Sequence, residues 1–117
     1  MPTKYKIVDK IGIHRTDILR LVACSMRSLG IHGCGPLKQL DIRYWRGREV
    51  EGIAYCDENR IELLIPQERK ITASLARILA KLLVHEIGHL LTLDHPDMMY
   101  WDDLKVPGSE YLKLRKR

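Results

Sequence analysis

The segment HEIGHLLTLDH, residues 85–95, decides the fold of this chain. Its first two histidines, His85 and His89, are four residues apart, and Glu86 directly follows the first. On an α-helix, side chains four residues apart lie on the same face, so both imidazoles can reach one metal ion. Glu86 would project beside the pair, where a carboxylate can accept a proton from water that the metal activates.

A third histidine, His95, follows His89 by six residues. On a continuous helix it would lie about 9 Å further along the axis, too far to share an ion whose bonds to nitrogen are about 2 Å long. We therefore expect the helix to end near Thr92 and the chain to turn back, and Pro96 favours non-helical angles at the residue before it. Three protein ligands with one open position are typical of catalytic zinc, so His85, His89 and His95 are predicted to hold one Zn²⁺.

The residues before the motif predict the helix that carries it. Between residues 72 and 91 there is no proline, and the only glycine is Gly88. Thr72 is a suitable N-cap. The apolar residues that recur there at helical spacing are Leu75, Ile78, Leu82 and Leu83.

HEIGHLLTLDH resembles the metzincin signature HExxHxxGxxH, and most of all its matrixin form HExGHxLGLxH. Metzincins are zinc peptidases with an upper subdomain, an active-site helix and a short lower subdomain. The resemblance implies that the three histidines bind one catalytic zinc ion and that Glu86 is the general base of an endopeptidase. It also implies a single catalytic domain over residues 1–117, with an upper subdomain over 1–95 and a minimal lower subdomain over 96–117.

Two departures from the family pattern concern the turn and the floor of the site. Thr92 stands where the family has a left-handed glycine, and a β-branched residue there costs on the order of 1–2 kcal/mol. Metzincins place a methionine beneath the zinc in a Met-turn, and the candidates here are Met98 and Met99. Tyr100 is a candidate for stabilising the oxyanion or lining the substrate pocket. Alternatively, these three residues are simply core, since methionine is an adaptable filler.

The rest of the pattern predicts an α+β fold in which a small twisted mixed β-sheet packs on a backing helix and the active-site helix. Thr16 is the expected N-cap of the backing helix, which Gly30 ends. Ser109 is the expected cap of a final helix in the short C-terminal subdomain. Strands are predicted over residues 4–8, 40–45, 50–56 and 60–65.

In metzincins, the strand before the last one is the sheet edge above the cleft and binds the extended substrate. The corresponding residues here are Gly52, Ile53, Ala54 and Tyr55. A peptide or protein substrate would gain main-chain hydrogen bonds at such an edge. Alternatively, the edge serves dimerisation or is covered. Because the part after residue 95 is short, we expect an open cleft or a homo-oligomer in which a partner subunit completes it.

Charge and composition limit the other functions. Of the formal net charge of +5, four charges belong to the C-terminal tail, which reads as a solvated helix end. The nearly neutral body argues against a nucleic-acid partner. No apolar run is long enough to span a bilayer, and no signal core is apparent, so a cytoplasmic protein without a membrane partner is expected. Cys24, Cys34 and Cys56 lack metal-site spacing and read as reduced thiols.

Three other interpretations stay open at this point. Glu110 could be the third ligand, as in zincins with a distant glutamate. The chain could be a catalytically inactive zinc-binding interaction module of the same fold, although the intact Glu86 argues against it. It could also bind nucleic acid through its tail with zinc incidental.

Overall fold

The computed structural model describes residues 4–98 and 105–117. A four-stranded mixed β-sheet packs against two α-helices, so the predicted α+β class is confirmed. In chain order the elements are β1 (Lys6–Asp9), α1 (Arg15–Ser28), β2 (Gln39–Trp45), β3 (Glu51–Tyr55), β4 (Arg60–Pro66) and α2 (Ala73–Leu90). The first strand lies one or two residues later than the sequence predicts, and the other three match within about a residue.

The sheet places β3 at one edge. The strand order is β1-β2-β4-β3, with β1, β2 and β4 parallel and β3 antiparallel to β4. Alternate residues of β2 and β4 face the helices and are fully buried. They are Leu40, Ile42, Ile61, Leu63 and Ile65. Because Gly52 pairs with Leu63 and Ala54 with Ile61, these two residues of the edge strand also face α2.

The N-terminus of α1 differs from the prediction. His14, not Thr16, is the N-cap, and its side chain makes no capping hydrogen bond. Tertiary contacts set this start: the neighbouring Ile13 pairs with Lys116 in a β-bridge, and the N–H of His14 donates to the Arg115 carbonyl at 2.8 Å. A hydrogen bond between residues far apart in sequence therefore determines where α1 begins.

The face that α2 buries lies slightly to one side of the predicted stripe. Leu75 and Leu83 are fully buried as expected, but Ile78 is 37% exposed and Leu82 is only half-buried. The buried stripe continues instead through Leu79, with residues at a spacing of four. Thr72 caps the helix as predicted, because its hydroxyl accepts from the N–H of Leu75 at 3.3 Å.

The predicted C-terminal helix is wrong. Only a single 3₁₀ turn forms over Ser109–Tyr111, with Gly108 as its N-cap, and the chain is extended from Leu112. The tail is not a solvated helix end, because the Arg115 side chain and N–H both donate to the buried Asp17. Those bonds need an extended backbone beside α1, so they compete with helix formation. In the described part of the chain, no helix is long and apolar enough to cross a membrane.

Candidate metal centre

Three histidines converge at the C-terminal end of α2. His85 and His89 lie one turn apart in α2, and His95 begins the 3₁₀ turn His95–Met98. The Nε2 atom of His89 lies 3.2 Å from the Nε2 atoms of both His85 and His95. One ligand atom from each residue lies within 4.8 Å of the others. Two nitrogens bound to a tetrahedral ion with bonds of about 2.0–2.1 Å are roughly 3.3 Å apart, so the cluster could hold a metal ion.

A backbone reversal at Thr92 brings the third histidine back. Thr92 has a φ of +65°, the left-handed conformation that glycine usually supplies. Its N–H donates to the His89 carbonyl and the N–H of Leu93 donates to the Gly88 carbonyl, both at 3.0 Å. This pair of bonds is a Schellman motif. The helix therefore ends where the sequence predicts, and backbone hydrogen bonds hold a β-branched residue in the turn.

The same turn orients the ring of His89. Its Nδ1 atom lies 3.1 Å from the carbonyl oxygen of Leu93. Because a carbonyl can only accept, Nδ1 must carry the hydrogen, and Nε2 of the neutral ring then keeps its lone pair. That lone pair is the one a metal needs, and such an outer partner fixes ring orientation. Sequence reasoning missed Leu93, since a backbone carbonyl leaves no signal in the residue type.

Glu86 is buried beside the histidines. It is 5% exposed, and its Oε2 atom has no hydrogen-bond partner in residues 4–98 and 105–117. Burial raises the pKa of the Glu86 carboxyl above its ordinary value, partly opposed by the three histidines. A buried carboxylate oxygen without a partner is costly, which makes it a candidate for chemistry rather than for structure.

Gly52 makes room for that carboxylate. A Cβ atom at Gly52 would lie 2.9 Å from Cγ of Glu86 and 3.3 Å from its Cδ. Any other residue at this position of β3 would therefore press on Glu86. Sequence reasoning placed Gly52 on the substrate edge but missed this contact. A lone glycine inside a strand was the available signal, since it often marks a close approach.

The edge strand runs alongside the metal end of α2. Gly52 contacts Glu86 near the start of β3, and the thiol of Cys56, just after the strand, donates to the His89 carbonyl at 3.5 Å. Ile53 lies between them and is 37% exposed. The four residues predicted as a substrate edge therefore form an edge strand beside the histidines, and their binding role stays a prediction.

The remaining candidates have different outcomes. Met98 is 1% exposed, three residues after His95. Met99 and Tyr100 lie outside the described residues. Among the described residues, the group that could hold a metal ion consists of the three histidines. Glu110, the alternative third ligand, is exposed and does not belong to that group. Cys24, Cys34 and Cys56 are free thiols, as predicted.

Comparisons with protein-family models, with curated proteins and with solved structures found no match. The structure shows an α+β fold in which three histidines at the end of a helix could hold a metal ion, an arrangement consistent with a zincin-like motif.

Proposed function

We propose that this chain is a metzincin-like zinc endopeptidase. One observation carries the proposal: three imidazole nitrogens at metal-binding spacing lie beside a buried glutamate with an unpartnered oxygen. Three imidazoles suit zinc. When bound, the ion would supply Lewis-acid chemistry, activating water near neutral pH and polarising the scissile carbonyl.

The protein residues then have separate tasks. Glu86 accepts a proton from the attacking water at Oε2 and passes it to the leaving amine. Its raised pKa fits a group that must both take up and release a proton. Gly52 leaves the space in which that carboxylate lies.

The exposed edge of β3 would bind the substrate. An extended polypeptide can add to this edge through main-chain hydrogen bonds, which confer affinity with little dependence on sequence. Because β3 passes Glu86 and ends near His89, a chain bound there would present its backbone to the metal centre. Met98 and Met99 remain candidates for the Met-turn, and Tyr100 for the oxyanion.

The test compares the purified wild type with two variants. We would measure zinc per chain by elemental mass spectrometry and cleavage of a mixed peptide library by mass spectrometry. The wild type should hold about one zinc per chain and cleave internal peptide bonds. Glu86→Gln should keep the zinc and lower cleavage about 10²–10⁴-fold, and His95→Gln should weaken zinc binding.

The controls separate the alternatives. Glu110→Gln should keep both zinc and cleavage, and loss of zinc in that variant would restore Glu110 as a ligand. Unchanged cleavage by Glu86→Gln would refute the general base. A wild type that holds zinc and leaves the whole library intact would instead indicate the inactive interaction module.

A further inference from the structure

A second concavity lies away from the histidines, between the loop that joins β2 to β3 and the loop that joins β4 to α2. Its volume is about 480 Å³, within the range of roughly 300–1,000 Å³ for ligand sites. Three arginines line it: Arg46 and Arg48 from the first loop and Arg69 from the second. We call this concavity the arginine pocket.

The arginines of the pocket lack the carboxylate partners that the arginines of the sheet have. On the sheet, Arg43 pairs with Glu62 and Arg60 with Asp41, each at 2.8 Å. In the described part of the chain, no carboxylate forms an ion pair with any arginine of the pocket. The one acidic residue in the lining is Glu68, so the pocket keeps an excess of two positive charges. Three like charges around one space favour a bound anion.

The loop that presents two of these arginines is held by Trp45. The indole Nε1 donates to the Glu49 carbonyl at 3.0 Å. The ring also lies so close to Gly47 that any Cβ atom there would overlap it. The loop is thus wrapped around the indole, with Arg46 and Arg48 on either side of Gly47. Such a fixed loop loses less entropy on binding than a free one.

The pocket lies at the start of the edge strand. Arg48 precedes Gly52, the residue that contacts Glu86, by four residues. At about 3.3 Å per residue, the two are at most about 13 Å apart along the chain. A polypeptide extended on β3 over Glu86 would therefore reach the pocket with residues three or four positions from the bond at the metal centre.

We propose that the arginine pocket binds acidic side chains of the polypeptide substrate, three or four residues from the cleaved bond. This proposal rests on the proposed function, whose substrate class it names. Guanidinium groups bind carboxylates through paired hydrogen bonds, which gives a preference for Asp and Glu. We favour carboxylates of a polypeptide over other anions, because the pocket lies at the start of the strand edge along which an extended polypeptide would bind.

Cleavage of matched peptides tests the preference. Two quenched fluorescent peptides would share the residues nearest the scissile bond and carry either Glu or Gln at the third and fourth positions on each side. The wild type should cleave the acidic peptide with about tenfold higher kcat/KM, mainly through a lower KM. The double variant Arg46→Gln/Arg48→Gln should cleave both equally. Equal kcat/KM for the two peptides in the wild type would overturn the proposal.

The control removes the same charge elsewhere. Arg20 in α1 and Arg77 in α2 are exposed, and the variant Arg20→Gln/Arg77→Gln should keep the tenfold preference. Loss of the preference in this control would show that net charge, not the pocket, attracts the acidic peptide, and would refute the site.

Binding measured without cleavage separates this proposal from the proposed function. Fluorescence anisotropy would compare the labelled acidic peptide, its Gln counterpart and an oligothymidine of equal charge at low and moderate salt. Acidic peptide bound through Arg46 and Arg48 by a protein that cleaves nothing would support the pocket and refute the peptidase. Cleavage without this preference would do the reverse. Tighter, pocket-dependent binding of the oligothymidine would overturn the choice of a polypeptide.

Discussion

Two buried carboxylates, Asp17 and Glu86, have opposite surroundings. Asp17 is fully buried in α1, and both its oxygens accept hydrogen bonds from Arg115, at 3.0 to 3.2 Å. The side-chain bonds from Arg115 lower the pKa of Asp17, while burial raises the pKa of Glu86. One oxygen of Glu86 has no partner in the described part of the chain. Asp17 thus joins the C-terminal segment to α1, whereas the unpartnered oxygen of Glu86 is available for the proton transfer that we propose.

The largest expected effect comes from neutralising Glu86. Glu86→Gln should lower kcat/KM for peptide cleavage about 10²–10⁴-fold. Its free energy of unfolding should not fall, because Oε2 has no hydrogen bond to lose. Peptide kinetics together with urea unfolding would check both halves. A variant that is much less stable would show that Glu86, like Asp17, is structural.

Moving the Glu86 side chain by a substitution at Gly52 should lower the cleavage rate less than Glu86→Gln does. Gly52→Ala places a methyl group 2.9 Å from Cγ of Glu86, so the carboxylate must move or the strand must shift. Misplaced catalytic groups lose on the order of 10²-fold in rate, with overpacking costing about 1–3 kcal/mol. Ile78→Ala, on the exposed face of α2 and away from the edge strand, should keep the cleavage rate. Full activity in Gly52→Ala would mean that the clearance at Gly52 is not needed.

The structural carboxylate should show the converse behaviour. Asp17→Asn should lower the free energy of unfolding by about 2 kcal/mol, since hydrogen bonds to a charged group are lost. The cleavage rate per folded molecule should stay unchanged. The exposed Asp57→Asn serves as the control, with urea unfolding as the measurement. An equal change in both variants would remove the special role of Asp17.

The pH dependence of stability should follow from the same pair. The folded pKa of Asp17 is below its unfolded value, so the unfolded state binds more protons in the acid range and stability rises with pH there. The contribution is present above the unfolded pKa of about 3.9 and is lost as pH falls through the folded pKa. Unfolding free energies of wild type and Asp17→Asn should therefore converge below about pH 4. A constant difference down to low pH would contradict the ion pair.

The smallest expected effect concerns backbone strain at Thr92, beside the three histidines. Within the described residues 105–117, no residue other than glycine has a positive φ. Thr92→Gly removes the strain of a left-handed β-branched residue, on the order of 1–2 kcal/mol, but adds the entropy cost of glycine, roughly 0.5–1 kcal/mol. We expect a net gain of about 0.5 kcal/mol, visible as a slightly higher Tm with zinc bound. An equal or lower Tm would argue that Thr92 is unstrained.

The structure of the histidine segment, residues 85–95, is predicted better from sequence than that of the C-terminal segment, and the reason is physical. The helix end, the turn at Thr92 and the three histidines lie within eleven consecutive residues, and local geometry links them. The start of α1 and the extended tail depend on Asp17 and Arg115, which are 98 residues apart. No local pattern reports such a bond, so Thr16 and Ser109 were each given the wrong role.

The middle of the fold is an intermediate case. The four strands were predicted from alternation and turn residues, and the edge position of β3 followed from the family resemblance. The contact of Gly52 with Glu86 was missed because it requires the register between β3 and β4 and the rotation of α2. The rotation of α2 was also predicted wrongly, because Ile78 was assigned to its buried face. Apolar residues occur on more than one face of this helix, so the sequence does not indicate which face is buried.

The Schellman turn has a consequence for how the candidate centre would bind and release a metal ion. Main-chain hydrogen bonds within residues 88–93 hold the reversal, and one carbonyl there orients the His89 ring. We therefore expect the three histidines to be prearranged for binding. A chelator should remove a bound metal ion without unfolding the domain. Circular dichroism should stay constant through such a cycle, and activity should return as fast as the cation is resupplied.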